Sequence, residues 1–414
     1  MSGVFLLGNI AYKGIMLYTT ALVLEFITGV DVVTAIMIVA VVAVTYTMLG
    51  GIAAVIWTDL IQTAILFTGA IITLVLLVGE LPQGFLGTLQ SLKEIGKTDP
   101  FEYSLDPAKV GTIWTGIVAM SIYHVVVYGV NQMMVQRTLT AKTLGDAKKA
   151  YILMGYVAFF VFVLFFGLGI LFYSYYGGRA FDNENLIVLE FVSSMGFPGL
   201  MGIVTAAIVA AAMSSLDSSL NSMATVTTID FYQKFFRKDG TPEHYLKASR
   251  WFTLFWAVFT VIPAMMFISS AGSVIEILSK VGSFFVGAKL AMFGLGFFSK
   301  HTTERGLIIG VVAGFISLWY VEFRMDIAWP WYCALGGVVS VVVGWVASVL
   351  IDGFQKDHDP YTVRGQLRDF KASGKPMMQD GWYVVSGKVD KASYALLVFF
   401  VLCVAGLWAV QSAI

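Results

Sequence analysis

The chain has 414 residues, of which 58% are hydrophobic and only 13% charged, and its formal net charge is zero. Soluble proteins carry roughly 25% charged residues, so this composition predicts a polytopic membrane protein. The neutral balance gives no indication of nucleic-acid binding. The sequence has no P-loop, no HExxH motif and no usable Ser-His-Asp grouping, so it supports neither an ATP-driven pump nor an enzyme.

Eleven segments are apolar enough to cross a bilayer as helices, which takes roughly 20 mostly apolar residues. The predicted spans are 4–28, 32–49, 52–79, 110–134, 150–175, 198–233, 248–269, 273–298, 305–323, 330–352 and 391–412. The segment "NENLIVLEFVSSM" (183–195) is short and amphipathic. It is therefore predicted to be a surface helix and not a span.

Basic residues in the loops predict the orientation. Of the 26 Lys and Arg residues, 18 lie in loops on one side, and five lie on the other. Because Lys and Arg concentrate in cytoplasmic loops, we expect a multi-pass protein of the cell (inner or plasma) membrane with a cytoplasmic N-terminus. The polar loop 353–390 is interpreted as a cytoplasmic linker without a catalytic role.

The sixth span contains an unusually polar stretch, "VAAAMSSLDSSLNS" (209–222). Small and hydroxyl side chains recur on one helical face at the spacing i, i+3, i+4 and i+7: Ala211, Ser214, Ser215 and Ser218. Asp217 lies at the edge of that face. Hydroxyl, carbonyl and carboxylate oxygens are ligands that suit hard cations, so the stretch predicts a site for a small hard cation.

A packing role is the alternative, because small residues allow helices to approach closely in membranes and serines bond back to the carbonyl four residues earlier. Two acids favour the ion site. Asp217 and Asp59, in "IWTDLIQT" on the third span, are both expected in the inner half of the membrane. An acid within a span is a functional-site hypothesis.

The fourth span also carries polar residues. His124 and Tyr128 are one turn apart and so share a face. The following Gly129, Asn131 and Gln132 permit a broken helix. His124 has two interpretations, a solute contact or a histidine that is simply hydrogen-bonded to a neighbour.

Three lysines lie within spans. Glu276 and Lys280 have the i, i+4 spacing of an internal ion pair. Lys13 and Lys289 have two interpretations: their ammonium groups snorkel to the interface, or they meet an anionic substrate.

Four stretches resemble motifs of the sodium:solute symporter family, which includes sodium/glucose, sodium/galactose, sialic acid and monocarboxylate cotransporters. They are "YTMLGGIAAVIWTDLIQT" (46–63), "NQMMVQRTLTAKTLGDAKKA" (131–150), "AAAMSSLDSSLNSMATVTTIDFY" (210–232) and "GFFSKHTTERGLIIGVVAG" (296–314). The resemblance implies Na+-coupled import of a small polar organic solute (a sugar, sialic acid or other organic acid) by alternating access in the lipid bilayer. The oligomeric state stays open.

The resemblance also implies the fold, an all-α polytopic bundle of about 11 transmembrane helices with leucine-transporter-like inverted repeats. The first repeat is expected to be incomplete, lacking its N-terminal helices. The implied parts are 1–79 (last three helices of the first repeat), 80–109 (extracellular loop), 110–298 (second repeat, five helices), 299–352 (two peripheral helices), 353–390 (cytoplasmic loop) and 391–414 (last transmembrane helix).

The family's main sodium site would correspond to Ala211, Ser214 and Ser215, and a second site to Asp59, Ser214, Asp217 and Ser218. For the solute, the resemblance implies His124, with Tyr128 on the same face, and Ser279. His124 and Ser279 replace an Asn and a Gln of the sodium/galactose carriers, so these positions do not support a hexose. His124, with Lys13 or Lys289, would suit an organic acid.

Two other functions remain open. The first is a truncated, non-transporting sodium-responsive sensor or scaffold. The second is a carrier coupled to protons through Asp59 and Asp217.

Overall fold

The computed structural model describes residues 1–99, 101–197, 199–268, 273–355, 359–385 and 387–413. About four-fifths of the chain is helical. The α-helices are α1 Ser2–Thr28, α2 Val32–Gly79, α3 Gly84–Glu94, α4 Ser121–Gly129, α5 Gln132–Thr138, α6 Leu144–Tyr175, α7 Ile187–Ser194, α8 Leu200–Val226, α9 Pro242–Met266, α10 Val274–Phe298, α11 Glu304–Arg324, α12 Tyr332–Asp352, α13 Val363–Ala372 and α14 Lys391–Ala413. Two π-helical segments, Thr115–Met120 and Thr227–Phe236, adjoin α4 and α8.

The predicted spans correspond to helices. In the part of the chain that the structure describes, nine helices have the length and composition of membrane spans, and a bent pair makes a tenth. The remaining prediction, 32–49, coincides with a shorter apolar helix, Val32–Thr45. Its boundary with the next span is a break inside α2 at Gly51, whose φ of 57° and ψ of −157° belong to a region that glycine adopts most readily.

The chain forms two compact units. The first comprises Met1–Thr88 and Gly167–Gly282, and its core is formed by α1, α2, α8 and α9, each of which packs against the other three. Buried side chains fill the space between them, among them Leu17, Ile36, Leu220 and Met223. The four helices bring the polar stretch of α8 into the interior of this unit.

The second unit comprises Leu89–Phe166 and Ser283–Ile414. Its longest helix contact joins α11 and α12, whose facing positions are small, as expected where membrane helices approach closely: Gly306, Gly310, Gly314, Ser340 and Gly344. The predicted break in the fourth span is confirmed, because the helix Thr115–Gly129 and α5 are bent by 50° relative to each other.

Two predictions about short segments can be compared directly. The segment 183–195 contains the short helix α7, in agreement with the prediction that it is not a span. The loop 353–390 is more ordered than a plain linker. It contains α13 and an antiparallel hairpin of β1 (Met378–Gln379) and β2 (Trp382–Tyr383).

Candidate ion and solute sites

The acid of α2 meets the polar face of α8 inside the first unit. The Ser214 hydroxyl donates a hydrogen bond to Oδ1 of Asp59, although the two residues are 155 positions apart in sequence. Both side chains are half-buried. The sequence analysis expected Asp59 and the serines at the same depth, and this contact brings them together.

Close packing of α2 and α8 makes this contact possible. A methyl group at Gly69 on α2 would overlap the side chain of Ala207 and lie 3.7 Å from the Val204 Cα atom. Glycine opposite alanine is the small-residue pairing that lets membrane helices approach closely. The polar contact therefore depends on small residues elsewhere along the same helix pair.

Asp217 lies one helical turn beyond Ser214 and is completely buried, with 0% of its surface exposed. Its Oδ1 accepts the Ser218 backbone N–H at 2.6 Å and lies 3.3 Å from the Ser218 hydroxyl oxygen. The Ser218 hydroxyl also donates to the Ser214 carbonyl at 2.7 Å. Ser218 thus makes the bond to its own helix that the packing interpretation expects, whereas Ser214 reaches across to an acid.

The polar stretch also reaches α1. Ser219 is fully buried, and its hydroxyl lies 3.4 Å from Oδ1 of Asn9. The Asn9 amide in turn donates to the Phe5 carbonyl at 2.8 Å. The sequence analysis did not identify Asn9, although an amide in the apolar run "LLGNIAY" (6–12) is a signal of the same kind as an acid in a span.

The chemistry of this cluster fits a small hard cation. Hydroxyl, main-chain carbonyl and carboxylate oxygens surround the α2–α8 contact, and oxygen is the donor that hard cations such as Na+ prefer. Ala211 and Ser215 are half-buried on the neighbouring part of α8.

The predicted solute residues His124 and Tyr128 belong to the second unit. Their rings stack with centroids 5.5 Å apart and an angle of 11° between the planes. Tyr123 meets His124 edge-on, also at 5.5 Å. His124 is half-buried, and its ring is held by two aromatic neighbours. The prediction that His124 and Tyr128 share a face is confirmed.

Tyr151 on α6 holds the break beside this pair. Its hydroxyl donates to the Tyr128 carbonyl at 2.9 Å and accepts from the Thr138 hydroxyl at 3.1 Å. These two residues lie on opposite sides of the bend, so a single phenol joins both halves of the broken helix. Nothing in the sequence pattern indicates this role, because the contact depends on how α6 packs.

Ser279 belongs to the first unit and bonds back to the Ile275 carbonyl at 2.6 Å. Beside it, the predicted ion pair of Glu276 and Lys280 is confirmed at 3.5 Å. Glu276 also lines a cavity of about 510 Å³, together with α1 and the segment 181–185. That volume lies within the usual range for small-molecule sites, about 300–1,000 Å³.

Lys13 does not snorkel in this structure. Its side chain is only 4% exposed. The ammonium nitrogen lies 3.4 Å from the Met16 sulfur and 4.8 Å from the centre of the Tyr12 ring. Lys289 is half-buried.

Comparison with known proteins decides the family. The profile of the sodium:solute symporter family matches residues 4–314. The chain belongs to the sodium:solute symporter family. Its members are transporters and not enzymes, which agrees with the expectation from the sequence.

Curated relatives in this family carry several solutes. The sodium/sialic acid symporter SiaT of Proteus mirabilis is 25% identical over 357 residues, covering 84% of this chain and 71% of that protein. The sodium-dependent multivitamin transporter of Oryctolagus cuniculus is 30% identical over 331 residues, covering 77% of this chain and 51% of that protein. Human sodium-coupled monocarboxylate transporter 1 is 30% identical over 329 residues, covering 76% of this chain and 53% of that protein.

A solved structure of a Na+-coupled sialic acid symporter in a substrate-bound, outward-open state has the same fold. The TM-score is 0.74 at 24% identity, and the match covers 84% of this chain and 73% of that one. The all-α, leucine-transporter-like class expected for a sodium:solute symporter is therefore confirmed.

Proposed function

We propose that this chain is a sodium-coupled secondary active symporter that imports a small polar organic solute by alternating access. The observation that supports this most directly is the Ser214–Asp59 hydrogen bond between α8 and α2. It gathers hard oxygen donors between two helices of one unit, inside a chain whose relatives include sodium-coupled symporters.

A Na+ ion bound at this cluster would replace the hydrogen bond between Ser214 and Asp59 with coordination of the ion by both side chains. The Ser214 hydroxyl now points its hydrogen at Asp59, and an entering cation would take the lone pairs of both oxygens. Ala211 and Ser215 would complete the main site on α8, and Asp217 with Ser218 a second one. Each Na+ that crosses contributes its gradient plus about 2.3 kcal/mol per 100 mV of membrane potential.

We propose an organic acid as the solute. Two of the relatives are named for sialic acid and for monocarboxylates, and both kinds of solute carry a carboxylate. His124 can donate a hydrogen bond to a carboxylate, and its stacking on Tyr128 fixes the ring plane. The family resemblance also implies a role for Ser279 in solute binding. A sugar is the alternative solute.

The proposal includes the topology expected from the sequence. Residues 1–79 would belong to the first inverted repeat and residues 110–298 to the second, and the N-terminus would be cytoplasmic. Cysteine labelling of the loops 234–241 and 95–109 from each side of the membrane tests this orientation.

The decisive experiment is uptake into proteoliposomes. We expect labelled N-acetylneuraminate or pyruvate to accumulate only with an inward Na+ gradient, and galactose to accumulate less. Asp59→Asn should abolish this coupling. Asp99→Asn in an exposed loop removes the same charge and should leave uptake unchanged. Sodium-independent uptake would contradict the proposal.

Two alternative functions have outcomes of their own. A second candidate is proton coupling through Asp59 and Asp217, because an acid buried within a span, as Asp217 is, is a functional-site hypothesis. Uptake driven by a pH gradient without Na+ would establish it. Equilibrium binding of Na+ and solute without translocation would indicate a sensor or scaffold.

A further inference from the structure

A basic and aromatic pocket lies where the extended end of α8 turns into α9, and none of the proposed ion or solute residues lines it. The cavity measures about 370 Å³. Its walls come from the π-helical extension of α8 and from the first turns of α9: Tyr232, His244, Lys247, Ala248, Trp251 and Phe252.

The aromatic walls are held in place by mutual contacts. The Tyr232 hydroxyl and His244 Nε2 lie 3.1 Å apart, and the two rings stack at 5.7 Å. Phe252 meets the Tyr232 ring at 5.8 Å. The cleft is therefore shaped by side chains of the protein itself, and Lys247 provides a cation at its wall.

The charge around the pocket is positive. The segment 234–250 contains five basic residues, Lys234, Arg237, Lys238, Lys247 and Arg250, against the two acids Asp239 and Glu243. Within the described residues, Lys247 and Arg250 take part in no ion pair. A concave wall with an uncompensated cation favours an anionic ligand.

An apolar track leads away from the pocket along α9. It is formed by exposed side chains at helical spacing: Trp251, Phe255, Val258, Phe259 and Ile262. Trp251 is 61% exposed at the mouth of the pocket, and tryptophan is enriched at the level of lipid headgroups. A ligand that is anionic at one end and apolar along the rest matches this arrangement.

We propose that this pocket binds the headgroup of an anionic phospholipid. The phosphate lies against Lys247, and the acyl chains follow the exposed face of α9 beyond Trp251. Basic pockets at the ends of membrane helices are suited to anionic headgroups. This lipid site is separate from the proposed symport and does not depend on it.

The test measures lipid binding by the full chain after delipidation in a non-ionic detergent. Native mass spectrometry would count bound phosphatidylglycerol against phosphatidylcholine with the same acyl chains. We expect preferential binding of phosphatidylglycerol. Lys247→Gln should weaken it about fivefold, the effect of one basic residue near an anionic surface, and Lys238→Gln should not. Lys238 lies in the same basic segment, 234–250, and carries the same charge, but it does not line the pocket.

Several outcomes would overturn the proposal. Equal binding of phosphatidylglycerol and phosphatidylcholine would contradict it. Equal losses from Lys247→Gln and Lys238→Gln would also contradict it, because they would indicate attraction by diffuse surface charge. Displacement of the lipid by free glycerol phosphate would indicate a soluble phosphate ligand. Trp251→Ala should weaken phosphatidylglycerol binding without lowering thermal stability, since the side chain is largely exposed. Unchanged binding in that variant would exclude the acyl track.

Discussion

Ser214 on α8 donates its hydroxyl hydrogen to the carboxylate of Asp59 on α2. Within the first unit this is a polar contact between helices, in a core otherwise dominated by apolar side chains. A hydrogen bond to a charged group is stronger than one between neutral groups, so this bond stabilises the contact between α2 and α8. An entering cation would compete for the same two oxygens.

Ser214→Ala should therefore weaken Na+ binding. Ser214→Ala removes a proposed oxygen ligand, and losing a group that supports a metal site typically costs about 10–100-fold in affinity, so we expect the half-saturating Na+ concentration to rise about tenfold or more. It can be measured by uptake, or by the Na+-dependent rise in melting temperature. Ser340→Ala is the matched control, since its buried hydroxyl has no hydrogen-bond partner among the described residues. An unchanged Na+ dependence in Ser214→Ala would remove Ser214 from the ion site.

Gly69 and Ala207 should be coupled energetically. Gly69→Ala places a methyl group where Ala207 already lies, and overpacking typically costs about 1–3 kcal/mol. The helices would then separate and weaken the Asp59–Ser214 bond, so both thermal stability and Na+ affinity should fall.

The double variant Gly69→Ala with Ala207→Gly should recover most of that loss, because the two methyl groups no longer overlap. Gly79→Ala is the control, since nothing lies within 4 Å of a methyl group there. Strictly additive losses in the double-mutant cycle would show that the α2–α8 approach does not depend on this pair.

Tyr151→Phe should affect the solute and not the ion. It removes the hydroxyl that joins the Tyr128 carbonyl to Thr138 across the helix break. We expect KM for the solute to rise several-fold while the Na+-dependent gain in thermal stability stays unchanged. Tyr156→Phe on the same helix is the control, because its hydroxyl forms no hydrogen bond within the described residues. Equal changes in the two variants would contradict a specific role for Tyr151.

Much of the fold follows from the sequence, because span length and apolarity are local properties that the bilayer constrains strongly. The break at Gly51 and the bend after Gly129 were also predictable, because glycine permits an irregular backbone. At the bend, the polar residues Asn131 and Gln132 add to this effect. The position of Asp59 within an apolar helix was also predictable.

Contacts that depend on packing were not predictable in this way. The sequence gives no sign that Tyr151 reaches Tyr128, or that Ser218 bonds to its own helix while Ser214 bonds to α2. Helical periodicity puts both serines on one face, but only the packed neighbours decide which oxygen each hydroxyl meets.

The hairpin of β1 and β2 is a further example, because it is held by a residue far away in sequence. Lys148 on α6 forms a 2.5 Å ion pair with Asp390 and donates to the Tyr383 carbonyl at 2.6 Å. The Asp390 carboxylate also accepts the Tyr383 backbone N–H at 2.8 Å. The bond from Lys148, followed by that from Tyr383, lowers the pKa of Asp390 below its ordinary value of 3.8.

The docking of this hairpin should therefore depend on pH only in acid. A lowered pKa in the folded state means that the contact is at full strength above the unfolded pKa, about 4, and is lost as the pH falls through the folded pKa. The protection of residues 378–385 against hydrogen exchange, relative to the intrinsic rate at each pH, should be high from neutral pH down to about pH 4 and fall below it. Asp390→Asn should give low protection over the whole pH range, because asparagine carries no negative charge to pair with Lys148. Asp380→Asn, at a hairpin position with φ of 50° that asparagine also tolerates, should behave like the native chain. Slow exchange in Asp390→Asn at neutral pH would show that the hairpin is held by other contacts.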